Sequence, residues 1–337
     1  MSHSAGRAGL TRRQSIQESI DEPGNGGGPR AEARHDRRRK GRNTRHQPTA
    51  VVILIALALG IFSGLAGLAP WIGTGRVLPL QNLWAVETLP DDMPLTWLPL
   101  NQYMAIRLVA LMVFGGMVAG LALHWWAPIR RRTALWSAVT GMLVVQVSAT
   151  VQSFNVLDEG LEPGSMSELY SDGLLAGVAA AILVAVLVLL AVGSRSTALV
   201  ALGIGAAAVP TGSWLLAWGE VFWPPFDLPA AVPQLAQWFP AVLVGLALAW
   251  CPPNRIGRAA VWVLDLALLL TVPALFDAVA GALGTRVFRG DLVQMQESAA
   301  STFAAGLGAP EAVGAVLLAA AVGVTGAAIR ALVRRAA

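Results

Sequence analysis

The sequence predicts an all-α polytopic membrane protein, a bundle of about eight transmembrane helices. Of its 337 residues, 55% are hydrophobic and only 13% are charged, which lies outside the usual range of soluble domains. Eight apolar runs of about 20 residues follow one another, and each is long enough to cross about 30 Å of hydrocarbon. Arginine-rich and acidic connections alternate between these runs, as is typical of a multi-pass protein with a fixed orientation.

The predicted spans cover residues 50–71, 103–127, 134–154, 173–193, 197–218, 235–252, 259–283 and 312–332. The basic stretches follow every second span and contain Arg130, Arg131, Arg132, Arg195, Arg255, Arg258, Arg330, Arg334 and Arg335. The other connections are longer, Pro-rich, and acidic or neutral. Because positively charged loops stay in the cytoplasm, we predict a cell-membrane protein with both termini cytoplasmic. Tryptophans collect at both predicted boundaries, as interfacial aromatic residues do.

Residues 1–48 form a separate region that differs in composition from the transmembrane domain, 49–337. The region holds 11 of the 24 basic residues against 5 acidic ones, so it carries +6 and the rest of the chain −2. It has little to bury, which predicts a disordered basic cytoplasmic tail. Its run from Arg37 to Lys40 either keeps the N-terminus inside or attracts anionic lipid. Membrane orientation already explains these basic residues. We therefore expect the lipid bilayer, and not nucleic acid, as a partner. Lys40 is the only lysine, which is typical of a GC-rich bacterial genome.

Two sequence matches predict an internal repeat. Residues 114–130 resemble residues 239–255, with Gly-Leu-Ala-Leu, a Trp, a Pro and an Arg in register. Ala58–Ile61 also matches Ala201–Ile204, which places Trp71 on Trp214. Both matches link equivalent members of two sets of four spans, so they predict a parallel 4+4 repeat with halves 50–193 and 197–332. The alternative is chance similarity between Ala-rich membrane segments.

Four ionisable residues lie inside predicted spans: Arg107, His124, Asp265 and Asp277. Such groups are costly in a membrane, so each is a functional hypothesis by default. Arg107 and Asp277 lie at similar depths near the outer side, and His124 and Asp265 near the inner side. Two opposite-charge pairs would fix helix register, or the four residues would line a transport pathway with His124 or Asp265 accepting protons. The third interpretation is that they face unrelated neighbours.

Small residues and prolines add two further expectations. Three small-xxx-small pairs predict close helix packing: Gly60 with Gly64, Gly116 with Gly120, and Gly173 with Gly177. Pro210, Pro240 and Pro273 interrupt three spans of the second half. Broken helices build binding sites in transporters, although prolines are also ordinary in membrane helices.

Asp91 and Asp92, in the first outer loop, are the weak candidates for catalysis. The pair is similar to the acidic residue or pair that polyprenyl-phosphate-dependent membrane glycosyltransferases place in that loop, where it acts as a base or binds a metal. The resemblance covers two residues, and those enzymes are usually longer, with more spans. Asp-Asp before a proline is also a common turn composition.

The sequence leaves three functional classes open. The first expectation is a non-catalytic membrane component or assembly partner of envelope machinery. The chain has few intramembrane polar groups, and its aromatic, Pro-rich outer loops are suited to docking other membrane proteins. A secondary transporter with a polar pathway between the halves is the alternative, and an extracytoplasmic-facing glycosyltransferase-like enzyme is the third. No cofactor or metal is expected, because a single intramembrane histidine and the single Cys251 offer no ligand cluster.

Overall fold

A computed structural model describes residues 48–223, 227–284 and 292–336. Its nine α-helices are α1 Thr49–Gly73, α2 Ala105–Trp126, α3 Arg131–Gly160, α4 Ser165–Val192, α5 Thr197–Phe222, α6 Ala231–Trp250, α7 Ile256–Gly284, α8 Leu292–Leu307 and α9 Pro310–Ala336. Every one of them except α8 is long and apolar enough to cross a membrane, which confirms the predicted eight spans. Within these residues the only β pairings are two isolated bridges. Residues 1–47 of the predicted tail, 1–48, lie outside the described residues.

Several helix boundaries differ from the prediction: α3 and α4 extend into the predicted outer connection 155–172 and leave only 161–164 between them. The fifth span was predicted to end at residue 218, whereas α5 continues to Phe222 and carries Glu220 inside a helix. The long connection before the last span contains α8, which was not predicted. Helix α8 is short and only moderately apolar, so hydropathy does not predict it from the sequence. In the fold it packs on α7. A Cβ atom on Gly306 would lie 2.8 Å from Ala274 Cβ in α7.

The loops divide between two ends of the bundle. The arginine end contains the short loops 127–130, 193–196 and 251–255, and the acidic end contains the connections 74–104 and 161–164 and the described residues of 223–230. At the arginine end, Arg131 Nε donates to Gly193 O at 2.6 Å and Arg131 Nη2 donates to Ser194 O at 2.7 Å. Because those carbonyls terminate α4, the guanidinium neutralises the negative end of that helix.

The two halves, α1–α4 and α5–α9, use the same helix pairings. In the first half, α1 packs on α2 and α3, while α2 packs on α4. In the second half, α5 packs on α6 and α7, while α6 packs on α9. A duplicated four-helix unit, with α8 as an insertion, has this arrangement.

Individual glycine contacts also recur between the halves. A Cβ atom on Gly120 of α2 would lie 2.7 Å from Val192 Cβ of α4, and one on Gly245 of α6 would lie 2.6 Å from Val322 Cβ of α9. The two glycines are those that the repeated Gly-Leu-Ala-Leu segment aligns. The sequence match and the packing therefore agree for α2 and α6.

For α1 and α5 the packing supports a different register from the sequence match. A Cβ atom on Gly67 would meet Leu111 O of α2, and one on Gly212 would lie 2.6 Å from Ala236 O of α6. Leu111 and Ala236 have the same spacing as Gly120 and Gly245, so Gly67 corresponds to Gly212. The match that aligned Trp71 with Trp214 is thus displaced by two residues. The positions of small residues decide which faces of two helices can meet. A short sequence identity in an Ala-rich chain does not fix those positions.

Helix α5 forms the seam between the halves, because it packs on α1, α2 and α4. Trp214 stacks on Phe114 of α2 with ring centroids 3.6 Å apart and planes 12° apart. Its Nε1 donates to Gly67 O of α1 at 3.0 Å, which satisfies the indole N–H within the apolar layer.

The connection 74–104 folds into a cap over the first half. Gln152 Oε1 and Ser153 Oγ of α3 accept hydrogen bonds from the backbone N–H groups of Trp97 and Leu98, at 3.0 and 2.9 Å. Gln81 lies buried in the cap and donates to Leu100 O at 2.8 Å. These hydrogen bonds satisfy backbone groups of the cap, which lies outside the α-helices and so does not share in their hydrogen bonds.

Two of the three predicted small-residue pairs lie at helix contacts. Gly60 and Gly64 face α3, and Gly116 and Gly120 face α4. Gly173 and Gly177 have no other atoms within 4 Å of a Cβ position and line an open apolar groove of about 530 Å³. The spacing motif alone therefore does not establish a helix contact.

We predict that Gly60→Ala destabilises the protein, whereas Gly177→Ala does not. The new methyl group at residue 60 would collide with Ala138 O, and overpacking of this kind costs about 1–3 kcal/mol. At residue 177 the methyl group meets open space, and alanine favours the helix by up to about 1 kcal/mol. Thermal unfolding of the two variants in one detergent measures the difference. Equal melting temperatures would contradict the close α1–α3 contact.

Candidate functional site

A cavity of about 490 Å³ lies within the second half, and we call it the second-half cavity. Helices α5, α6, α7 and α9 form most of its wall. It extends from mid-bundle, at Val209 and Leu269, to the acidic end, at Pro233 and Glu311. Its volume falls within the range of small-molecule sites.

The wall of the second-half cavity is mostly apolar, with a few polar groups. Ser213 and Gln237 contribute a hydroxyl and an amide, and Asp277 and Glu311 contribute carboxyl groups. The described lining contains no Arg, Lys or His, so the ionisable side chains that line the cavity are all acidic.

Two of the prolines that were predicted to interrupt spans line this cavity, Pro240 in α6 and Pro273 in α7, but both helices continue through them. A proline has no N–H to donate to the carbonyl four residues earlier. The residues that carry those carbonyls, Ala236 and Leu269, also line the cavity. Each proline therefore leaves a carbonyl without its usual helical donor on a residue of the cavity wall.

Asp265 lies one helical turn beyond the cavity floor. Residues 265, 269, 273 and 277 follow each other at i+4 spacing, so they share one face of α7. Leu269, Pro273 and Asp277 line the cavity, and Asp265 comes about 6 Å before Leu269 along the axis. Its side chain is 0% exposed, and neither carboxyl oxygen has a hydrogen-bond partner among the described residues.

The carboxyl group of Asp265 lies against Gly205 of α5, where a Cβ atom would collide with it. The corresponding contact in the first half joins Gly60 of α1 to the backbone of Ala138 in α3. There the two helices meet backbone to backbone, whereas in the second half a carboxyl group separates them. The second-half cavity begins one turn above this point.

Arg107 pairs with Glu220 of α5, not with Asp277, so the predicted Arg107–Asp277 pair is wrong. Arg107 Nη2 and Glu220 Oε1 are 2.5 Å apart, with side chains 20% and 25% exposed. The reason is the length of α5, whose additional turn carries Glu220 to the depth of Arg107. Asp277 instead lines the second-half cavity.

His124 does not approach Asp265 either. Its Nδ1 lies 3.1 Å from Ser194 O and 3.4 Å from Arg131 Nη2, and its ring makes an edge contact with Trp250. His124 therefore belongs to the polar contacts that close the arginine end. Of the two intramembrane pairs predicted from depth, the structure forms neither.

A second cavity, of about 630 Å³, lies at the acidic end between the halves, and we call it the seam cavity. Asp91 lines it together with the Arg107–Glu220 pair. Asp91 and Asp92 are both exposed on a short 3₁₀ turn of the cap, Pro90–Asp92. Within the described part of the chain, no group of three or more His, Cys, Asp or Glu side chains could hold a metal ion.

Cys251 is fully buried directly after α6. Burial raises the pKa of its thiol, so the side chain stays protonated and unreactive at neutral pH.

Sequence reasoning missed four polar residues of these cavities: Glu220, Ser213, Gln237 and Glu311. Glu220 and Glu311 lie just outside the predicted spans, at the acidic ends of their helices, whereas Ser213 and Gln237 lie inside predicted spans and carry no charge to mark them. Helix length and rotation place them, and neither can be read from a single apolar run.

We predict that Arg107 is coupled to Glu220 and not to Asp277. In a double-mutant cycle, Arg107→Gln and Glu220→Gln should each lower stability, and their coupling should reach about 1–2 kcal/mol, the range for a partly buried charged hydrogen bond. The matched cycle with Asp277→Asn should show additive effects. Thermal unfolding of the six proteins measures both cycles, and coupling to Asp277 instead would overturn the assignment.

Comparison of the chain with protein-family models, with curated proteins and with solved structures finds no match. The interpretation of the two cavities therefore depends on their own geometry. What the structure establishes is a multi-pass membrane fold with one cavity within its second half and another at the seam.

Proposed function

We propose that this protein is a secondary transporter whose solute-binding site is the second-half cavity. One observation carries the proposal: a cavity that reaches mid-bundle lies where two continuous, proline-containing helices, α6 and α7, meet α5 and α9. A proline inside a helix leaves one carbonyl without its usual N–H donor, and backbone carbonyls freed from helical hydrogen bonds contribute to binding sites in transporters. The 4+4 repeat is part of the proposal, and it is supported by the recurring helix pairings.

The chemistry of the wall indicates the solute class. Asp277 and Glu311 would stabilise a positive charge, and Ser213 and Gln237 would donate or accept hydrogen bonds. An anionic solute would find no described cationic side chain there. We therefore infer a small organic cation or a neutral polar solute, which enters from the acidic end.

An assembly role is the second candidate, and the exposure of α9 favours it. Only 11% of the most apolar window of α9 is buried inside the fold, compared with 61% for the span containing α2. In a membrane that apolar surface contacts either lipid or a partner helix. A stoichiometric partner protein retained through purification in mild detergent would support this candidate.

We also propose that the acidic end faces outward and that both termini are cytoplasmic. The arginine end contains Arg131, Arg195 and Arg255, and positive residues retain loops on the cytoplasmic side. The cell membrane remains the proposed location.

Transport is tested by electrometry on proteoliposomes of the full chain. A panel of small organic cations, neutral polar solutes and organic anions is applied in concentration jumps. Cations or neutral solutes should displace charge. For a cationic solute, Asp277→Asn should weaken the apparent affinity about tenfold or more, because a charge-assisted contact is lost. The matched control Glu297→Gln changes an exposed carboxylate on α8 outside the cavity. A silent panel, or an equal loss in the control, would refute the assignment.

Orientation is tested by labelling single cysteines in a Cys251→Ser background. A membrane-impermeant maleimide applied to intact cells should label Asp158→Cys at the acidic end. It should label Arg195→Cys at the arginine end only after permeabilisation. Both positions are exposed, so burial does not limit the reaction. The reverse pattern would show that the termini face outward.

A further inference from the structure

Asp265 combines complete burial with two carboxyl oxygens that lack hydrogen-bond partners among the described residues. It lies about 14 Å from the start of α7, well inside the apolar part of the span. Burying an unpaired carboxylate there costs several kcal/mol, whereas a neutral carboxylic acid avoids most of that cost. The packing therefore favours the protonated side chain.

Among the described residues, no charged partner on the surrounding helices compensates for this burial. The titratable groups that the structure describes on α7 and on the elements packed against it are Arg258, Asp277, Glu220, Cys251, Glu297, Glu311, Arg330, Arg334, Arg335, Arg107, His124 and Tyr103. Of these, the Cys251 thiol lies within electrostatic range of Asp265, and Arg258 precedes Asp265 by about two turns on α7. Arg258 hydrogen-bonds to Asn254 at 3.0 Å, and Arg107 pairs with Glu220.

The first half has no carboxyl group at the position that corresponds to Asp265. Gly193 at the end of α4 contacts Leu135, and Gly323 of α9 contacts Trp262. If Leu135 corresponds to Trp262, then Ala138 corresponds to Asp265, which lies three residues later in each helix. The glycine contacts of α1 and α5 agree with this register. At the equivalent place, the first half has an alanine whose backbone meets the facing glycine, whereas the second half has an ionisable side chain between the helices.

The carboxyl group is also close to the route that water would take. Val209 follows Gly205 by one turn on α5, and Leu269 follows Asp265 by one turn on α7. Both Val209 and Leu269 line the second-half cavity. Separation of α5 and α7 by one side-chain layer would therefore expose Asp265 to the cavity.

We propose that Asp265 is a proton-binding site that couples protonation to the packing of α5 against α7. When the helices are closed, the carboxylic acid is neutral and lies against Gly205. When they separate, the carboxyl O–H bond breaks, the proton passes to water in the second-half cavity, and the carboxylate remains hydrated. The proposal deepens the transport function, for which the proton is the coupling ion, but its test does not depend on an identified solute.

Thermal unfolding of the full chain in nanodiscs, followed as a function of pH, tests the proposal. The folded state holds a proton that an unfolded aspartate releases above about pH 4. The protein should therefore lose stability as pH rises, because the native state binds more protons. Asp265→Asn preserves the shape of the neutral acid and should abolish this part of the pH dependence. Asp277→Asn, which alters an exposed carboxylate on the same helix, should retain it.

Infrared spectroscopy provides a second readout of the same group. The C=O stretch of a protonated carboxylic acid should be present at neutral pH in the wild type and in Asp277→Asn, and missing in Asp265→Asn. If Asp265→Asn does not fold, Asp265→Ala provides the side chain found at residue 138 and should give the same two losses. Retention of the carboxylic band and of the pH dependence in the Asp265 variants would overturn the proposal.

The outcome also separates this inference from the transport function. If the Asp265 variants lose the band and the pH dependence while no solute of the electrometry panel displaces charge, the proton site stands and transport by this cavity fails. If a solute displaces charge equally in the wild type and in Asp265→Asn, at every pH, transport stands and the proton is not its coupling ion.

Discussion

Close approach of helix backbones at glycine holds each half together, and the arrangement of the remaining groups depends on it. In an apolar layer, burial of hydrocarbon does not by itself favour one helix pair over another, so van der Waals contact between helices has to do so. Gly60, Gly120 and Gly245 provide that contact because each faces a neighbouring helix with no room for a side chain. The common pairings of the two halves follow from this constraint.

The second half departs from the first at the contact between α5 and α7, where a carboxyl group separates the two helices. Asp265 occupies a place where the first half has an alanine, and α6 and α7 both contain prolines that line the cavity. Each change weakens regular helix packing, and together they occur beside a cavity of about 490 Å³. The cavity therefore lies where the packing of the second half departs from that of the first.

The charged groups discussed above lie near the two ends of the bundle, except for Asp265. Arg131 binds the carbonyls at the end of α4, and Arg107 pairs with Glu220 near the acidic end. Both interactions involve partly exposed side chains, so water shares in their solvation. Asp265 is fully buried and its carboxyl oxygens have no hydrogen-bond partner among the described residues, and the proposed coupling of its protonation to the separation of α5 and α7 depends on this difference.

The sequence by itself determined the eight spans and the division of the loops into an arginine-rich and an acidic set, since both depend on local composition. It also located Asp265, Asp277, Pro240 and Pro273, because polar residues and prolines are conspicuous within apolar runs. Only the tertiary structure decided which of these groups meet. Glu220 binds Arg107 because α5 is one turn longer than its apolar run. Asp265 has no hydrogen-bond partner among the described residues because helix rotation directs it at Gly205, and rotation depends on contacts between segments far apart in the chain.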